Sequence, residues 1–137
     1  MPALQKYNRF VQDLAQKALN LNSDSFALLL TNTAPAAGDA TINTEIATGH
    51  GYTQGTGIAL TGPSATQTGG TLTFSFSTTS ATLTASGGTI GPFRYAVLVD
   101  VTASDKLIGW YDYGSSQTLN DGDFFTWNEG ANVLTVA

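Results

Sequence analysis

Alternation of apolar and hydroxylated residues is the clearest pattern along this chain. In Thr71–Phe76 every second residue is Leu or Phe and the residues between them are Thr or Ser, which is the two-residue period of a half-buried antiparallel strand. Phe26–Thr31 is a short continuous apolar run and predicts a buried strand. Further strands are predicted at residues 41–46, 57–61, 78–85, 93–101, 107–113, Phe124–Trp127 and 132–136, with weaker signals at 41–46 and 57–61.

Two hairpins are predicted in the second half of the chain. Residues 93–101 and 107–113 are separated by a short polar segment, so they are expected to pair antiparallel. In the first of these strands, one face is predicted to be core (Phe93, Tyr95, Val97, Val99, Val101) and the other mixed (Arg94, Ala96, Leu98, Asp100). Residues 120–123, Asn-Asp-Gly-Asp, predict a turn. We expect Phe124–Trp127 and 132–136 to form a last hairpin after it.

The first twenty residues carry a different period. Leu4, Tyr7, Val11, Leu14 and Ala18 recur at spacings of three and four, which predicts an amphipathic helix over residues 3–19. The polar run at residues 20–24 suits the end of this helix.

These elements predict a mainly β protein: an antiparallel β-sandwich or jelly-roll-like domain with one N-terminal amphipathic helix. The chain has 137 residues, a size that supports a single core. Residues 1–20 are interpreted as the helical segment and residues 21–137 as a single antiparallel β domain, with an open barrel as the alternative.

Charge is sparse and unevenly placed. Charged residues make up 11% of the chain, and the formal net charge is −5. The first twenty residues hold three cations, Lys6, Arg9 and Lys17, against one acid, whereas the rest holds two cations against nine acids. The chain therefore has no basic face that could neutralise a run of phosphates, and nucleic acid is not expected as a partner.

Candidate chemistry is limited. The chain has no Cys and one His, so we expect no thiolate metal site and interpret His50 as an exposed loop residue. Asp121 and Asp123 lie two residues apart, with Asp112 on a nearby strand. Such carboxylates could serve glycosidase chemistry or bind Ca²⁺, but the spacing is better explained by a turn. We expect no catalytic residues, no cofactor and no enzymatic activity.

A carbohydrate-binding module is the alternative of another class. Trp110, Tyr111 and Tyr113 could form a sugar-binding platform. Strand alternation, however, places both Tyr side chains on one face and Trp110 on the opposite face with Ile108. Core packing explains at least half of this set.

Several stretches resemble small virion proteins of tailed bacteriophages. They are residues 27–35 (ALLLTNTAP), 44–49 (TEIATG), 51–53 (GYT), 86–97 (SGGTIGPFRYAV), 107–116 (LIGWYDYGSS) and 119–123 (LNDGD). The likeness implies a capsid decoration, or cement, protein that binds and stabilises an assembled shell. It also implies the major capsid protein as partner, a homo-oligomer (dimer or trimer), and a place on the capsid exterior after synthesis in the bacterial host cytoplasm. A tail or head-to-tail component is the alternative within this class.

The amino-terminal segment is the candidate attachment element. Its candidate interface residues are Lys6, Tyr7, Arg9, Phe10 and Lys17. It could lie on an acidic neighbour, or its apolar residues could cap one end of the sandwich core. No run of apolar residues is long enough for a membrane-spanning helix, so no membrane association is expected.

Overall fold

The computed structural model describes residues 2–78, 80–129 and 133–136 and is mainly antiparallel β, with 47% strand and 6% helix. One short helix, α1, spans Asn8–Ala15. The strands in chain order are β1 Gln5–Lys6, β2 Phe26–Thr31, β3 Ile58–Leu60, β4 Pro63–Thr68, β5 Thr71–Phe76, β6 Ala81–Thr84, β7 Ile90–Asp100, β8 Lys106–Leu119, β9 Phe124–Trp127 and β10 Leu134–Val136.

The strands form two layers. One layer is a five-stranded sheet in the order β1-β8-β7-β2-β3, and facing it are a three-stranded sheet, β10-β5-β4, and the two-stranded sheet β6-β9. The main core lies between the layers. There Phe26 of β2 meets Phe74 and Phe76 of β5 edge-on at 5.1 and 5.5 Å, and Phe93 of β7 meets Phe125 of β9 at 5.3 Å. The predicted sandwich of antiparallel sheets is confirmed.

The centre of the five-stranded sheet is buried on both faces. A second apolar cluster lies on the side away from the main core and contains Ala27, Leu29, Val97 and Val99, with Ile42 of the β2–β3 connection packed against it. Burial on both faces explains why β2 is a continuous apolar run rather than an alternating one. The predicted bounds Phe26–Thr31 are confirmed.

The face assignment predicted for β7 is wrong. Tyr95 lies in the second cluster but Phe93 lies in the main core, because the pairing register with β8 shifts between them. The supposedly mixed face is buried as well, including Ala96 and Leu98. Between Phe93 and Tyr95 the pairing moves by two residues on β7 but by five on β8, from Gln117 to Asp112. An irregularity of this kind disrupts the regular alternation of faces, and sequence alternation alone does not reveal it.

A bulge also changes the faces of β8. Leu98 pairs with Gly109 and Val99 pairs with Leu107, which leaves Ile108 as the extra residue. Ile108 consequently faces the main core, whereas Trp110 faces the second cluster. The prediction that these two share a face is wrong. The antiparallel β7–β8 hairpin itself is confirmed.

Other strand predictions have mixed outcomes. The bounds of Thr71–Phe76 and Phe124–Trp127 are confirmed. Residues 41–46 form no strand, only the isolated bridge between Thr31 and Glu45. The predicted last hairpin is wrong, since β9 pairs with β6 and β10 pairs with β5. The predictions for residues 79 and 132 lie outside the described residues.

Strand β4 escaped prediction because it reads as polar and begins with Pro63. It is half of a tight hairpin with β5, in which Thr68 pairs with Thr71 across the two-residue turn Gly69-Gly70. Both glycines have positive φ, 59° and 86°, as this kind of hairpin turn requires. The turn signal was in the sequence, but the strand before it lacks apolar alternation.

The Tyr52 side chain hydrogen-bonds to the backbone of β2 beyond the end of β3. Pairing between the two strands stops at Leu28 and Ile58, and beyond it the Leu30 N–H donates to the Tyr52 hydroxyl at 2.9 Å. That hydroxyl donates in turn to Glu45 Oε1 at 2.6 Å. Burial raises the pKa of Tyr52 above its ordinary value, so the phenol stays protonated and can donate.

Replacing Tyr52 with Phe should lower the free energy of unfolding by about 2 kcal/mol, because the Leu30 N–H and the Glu45 carboxylate both lose a partner in a buried setting. Urea denaturation measures this difference. Tyr95→Phe is the matched control, since the Tyr95 hydroxyl makes no hydrogen bond within the described part of the chain and its loss should change stability little. Equal stability of the two variants would contradict the role given to Tyr52.

Candidate interaction surface

The amino-terminal segment is tied to the five-stranded sheet before its helix begins. Gln5 and Lys6 pair with Trp110 and Gly109 of β8, and the Tyr7 N–H donates to the Ile108 carbonyl at 3.1 Å. A Cβ at position 109 would lie 2.6 Å from the Gln5 carbonyl oxygen, so the close approach of β1 requires Gly there. The predicted helix over residues 3–19 is therefore too long: residues 5–6 are strand, and α1 covers Asn8–Ala15.

Two of the five candidate interface residues are in the interior, which corrects that prediction. Tyr7 is 1% exposed and packs on Trp110 with ring centroids 4.7 Å apart, and Phe10 is 0% exposed in the main core. Val11, predicted to face the core, is 44% exposed. The buried side of the helix differs from the predicted apolar side because the helix begins only at Asn8. The residues of α1 that are buried are Phe10 and Asp13.

The other three candidate interface residues lie at the surface. Lys6, Arg9 and Lys17 are exposed, and the Arg9 guanidinium lies 4.0 Å from the Asp13 carboxylate one turn later. The geometry bears out the core-capping expectation for Tyr7 and Phe10, whereas attachment to a neighbour stays a prediction. The apolar residues of the segment close the core, and its cations remain available to a neighbour.

A second surface, which sequence reasoning missed, covers the outer side of the three-stranded sheet. Because Leu72, Phe74 and Phe76 point into the core, the alternate residues of β5 and their partners point outward. We call this set the hydroxyl face. It consists of the cross-strand pairs Ser64 with Ser75, Thr66 with Thr73 and Thr68 with Thr71, joined by Thr135 opposite Thr73.

The hydroxyl face carries no charge. Residues 46–93 contain no Asp, Glu, Lys or Arg, and neither do the strands β9 and β10. The adjoining β6–β9 sheet continues the pattern with Thr82 and Thr126, whose hydroxyl oxygens are 3.2 Å apart. The signal for this surface was available in the sequence as the long charge-free segment.

The outer edge of β4 is less open to a partner than its face. Pro63 has no N–H to offer, and the Ala65 N–H donates to Asn22 Oδ1 at 3.3 Å. An edge blocked in this way resists strand addition. The face rather than the edge is therefore the accessible part of this sheet.

The candidate carboxylates are engaged in local structure. Asp112 accepts from Arg94 Nε at 2.7 Å and from its terminal nitrogen at 3.0 Å. Asp121 accepts the Gly87 N–H at 2.9 Å, and Asp123 accepts the Asn120 N–H at 3.0 Å, which confirms the turn. Within the described residues, no three His, Cys, Asp or Glu side chains come together in a way that could hold a metal ion.

His50 and the aromatic set are also placed by the structure. His50 is exposed, as predicted, and its ring lies against Gly88, where a Cβ would approach it to 2.4 Å. Tyr111 is fully buried, and Trp110 is 8% exposed. Neither ring can therefore present a face to a sugar.

Two neighbouring carboxyl groups, the buried Asp100 and the partly exposed Asp24, escaped sequence reasoning. Asp100 ends β7, is 0% exposed, and accepts the Ala103 N–H at 3.1 Å. Burial and, second, a hydrogen bond with Asp24 raise the pKa of Asp100 to about 7. The same hydrogen bond, together with the Asn20 N–H, lowers the pKa of Asp24. The raised pKa of Asp100 favours its protonated form, and the lowered pKa of Asp24 favours its ionised form.

Comparison of the chain with protein-family models, with curated proteins and with solved structures finds no match in any of the three. The resemblance to virion proteins of tailed bacteriophages therefore stays a prediction. Within the described ranges, no helix has the length and apolarity needed to cross a membrane.

Deleting residues 1–20 should destabilise the protein by several kcal/mol and cause aggregation, because the deletion exposes the apolar surface under Tyr7 and Phe10. Reversing Lys6, Arg9 and Lys17 to Glu should change stability by less than about 1 kcal/mol, since all three are exposed. Thermal melts and light scattering compare the two variants. A truncated chain that stays soluble with an unchanged melt would contradict the core role of this segment.

The free energy of unfolding should fall as pH rises from about 4 to 7. Over this window the folded chain holds a proton on Asp100, whereas the unfolded chain, with the ordinary pKa of 3.8, has released it. The slope from one proton is at most about 1.4 kcal/mol per pH unit. The lowered pKa of Asp24 acts in the opposite direction and below this window, where its contribution is lost as pH falls.

Asp100→Asn should remove most of this slope, because Asn has no proton to release. Urea midpoints measured at intervals between pH 4.5 and 7.5, a range of about three units around the expected transition, check this for both proteins. The same slope in the variant and the unsubstituted protein would assign the pH dependence to other groups.

Proposed function

We propose that this chain is a non-enzymatic virion structural protein of a tailed bacteriophage that binds the assembled capsid as a decoration, or cement, protein. The observation that carries the proposal is the hydroxyl face: a sheet surface without charge on a protein whose net charge is −5. The phage and capsid parts of the proposal come from the sequence resemblance.

A charge-free sheet face suits lasting contact with another protein. Removing an ionised side chain from water is costly unless it is paired, and the centres of protein interfaces are accordingly depleted of Lys, Glu and Asp. Ser and Thr hydroxyls, in contrast, can donate or accept hydrogen bonds with whatever groups lie opposite. Ser64, Thr66, Thr73 and Ser75 offer such contacts at the spacing of adjacent strands.

The exposed cations supply a second, electrostatic contact. Lys6, Arg9 and Lys17 lie at the surface of a segment anchored by the buried Tyr7. Opposite charge on a shell would speed and orient binding, with the effect weakening as salt is added. In this proposal the hydroxyl face supplies contact area and the cations supply orientation.

The proposal implies the major capsid protein as partner and the capsid exterior as location. A tail or head-to-tail protein would use the same surfaces, but in far fewer copies. The number of copies per major shell protein in purified particles distinguishes these two roles. The burial of Tyr111 and Trp110 weighs against the carbohydrate-binding alternative.

Binding to shells assembled without this protein tests the proposal. The unsubstituted chain should co-sediment with them, and Thr66→Lys with Thr73→Lys should weaken binding by about tenfold or more, since two charges would have to be desolvated in the contact. Thr41→Lys is the matched control, because Thr41 adjoins Ile42 on the opposite side of the sandwich. Its binding should be unchanged.

Failure of the unsubstituted chain to bind shells would overturn the proposed role. Equal weakening by the control and the double variant would show that added positive charge acts without regard to place, and would exclude the hydroxyl face as the contact. The triple reversal of Lys6, Arg9 and Lys17 should weaken binding at low salt and less at high salt. Unchanged binding of this variant at low salt would exclude the electrostatic contact.

A further inference from the structure

An apolar groove of about 510 Å³ lies between the end of α1 and the three-stranded sheet. Its apolar lining comes from Leu14, Leu19, Leu21, Ala65 and Leu72, and the cation Lys17 and the amides Asn20 and Asn22 complete the lining. Lys17 adopts positive φ, 62°, directly after the helix. The groove therefore combines apolar walls with one positive charge, and it suits an apolar group that has an acidic group beside it.

The same chain carries a group of that description. Phe124 is 67% exposed, and it follows directly on the acidic turn that contains Asp121 and Asp123. The turn is fixed to its surroundings, since the Gly122 N–H donates to the Ala85 carbonyl at 2.8 Å and the Ala85 N–H donates to the Asp123 carbonyl at 2.9 Å. An aromatic side chain held out from a rigid turn loses little conformational freedom when it binds.

We propose that Phe124 of one copy inserts into the groove of a second copy, with Asp121 and Asp123 beside the Lys17 ammonium. Apolar surface meets apolar surface, and the acidic turn meets the cation of the groove. Phe124 is exposed in its own molecule, so its side chain is free for this intermolecular contact.

The contact is head-to-tail, because the inserting group and the groove are different surfaces of the chain. Such contacts generate rings if the rotation closes and open chains if it does not. One aromatic side chain and a few charges make a small interface, so association should depend on concentration. Copies held side by side on a shell would associate more readily, because the attachment raises their effective concentration.

This inference adds a self-contact to the proposed function, and its test uses the protein alone. Absence of self-association would not contradict shell binding, which the co-sedimentation experiment measures separately. Sedimentation equilibrium should show reversible association of the unsubstituted chain at concentrations up to about 1 mM. A chain that stays monomeric throughout this range would overturn the inference.

Substitutions on the two sides of the contact should each weaken association. Phe124→Ser should do so by about 30-fold, as the loss of an aromatic anchor does, and Lys17→Glu should do so by placing like charge opposite the acidic turn. Val11→Ser is the control, because Val11 is another exposed apolar residue, at 44%, outside both surfaces. Equal association of the Phe124 variant and the unsubstituted chain would overturn the inference.

Mixing the two variants separates head-to-tail contact from other arrangements. The Phe124→Ser chain keeps its groove and the Lys17→Glu chain keeps its Phe, so the mixture should form one-to-one heterodimers and nothing larger. Two variants that stay monomeric together, although each is folded by its thermal melt, would exclude the pairing of Phe124 with the groove. Larger assemblies in the mixture would exclude it as well.

Discussion

Burial of β2 on both faces is the constraint on which the rest of the structure depends. Phe26–Thr31 is apolar on both sides, and Leu28 and Leu29 point into different clusters. A strand of this kind needs a cover on each side of its sheet. The three- and two-stranded sheets cover one side. On the other side, Tyr7 and Ile42 pack into the second cluster, which is why the amino-terminal segment and the long β2–β3 connection are parts of the fold rather than appendages.

In the same arrangement, the layer formed by the three- and two-stranded sheets has no charged residue in its strands. The sheets that cover the main core have short strands whose inner residues include large apolar ones, such as Phe74 and Trp127, and whose outer residues are mostly hydroxylated, with Phe124 as an exposed exception. Ion pairs lie elsewhere, on β7 and β8 for Arg94 with Asp112 and on α1 for Arg9 with Asp13. One side of the protein therefore presents hydrogen-bonding groups without charge, which is the property that the proposed role requires.

Sequence reasoning succeeded where structure is local. The period of Thr71–Phe76 and the turn at residues 120–123 depend on neighbouring residues alone, and both are confirmed. It failed where pairing is between distant segments: nothing near Phe124–Trp127 indicates that its partner is Ala81–Thr84. The bulge at Ile108 and the buried Asp100 escaped for the same reason. The hydroxyl face is a different case. The charge-free segment is visible in the sequence, but only the structure shows that its Ser and Thr residues lie together on one surface.

The connection from α1 to β2 is hydrogen-bonded to the three-stranded sheet and also lies next to the buried Asp100. Within it, Asn22 Oδ1 accepts the Ala65 N–H of β4, and Asp24 Oδ2 accepts the Asn20 N–H at 2.9 Å. Asp24 is also the partner of the buried Asp100. The hydrogen bonds of Asn22 and Asp24 thus help to hold the connection that carries the groove wall at Leu19 and Leu21. Because ionisation of Asp100 would bury a charge beside the Asp24 carboxylate, a proton on Asp100 supports the folded position of this connection.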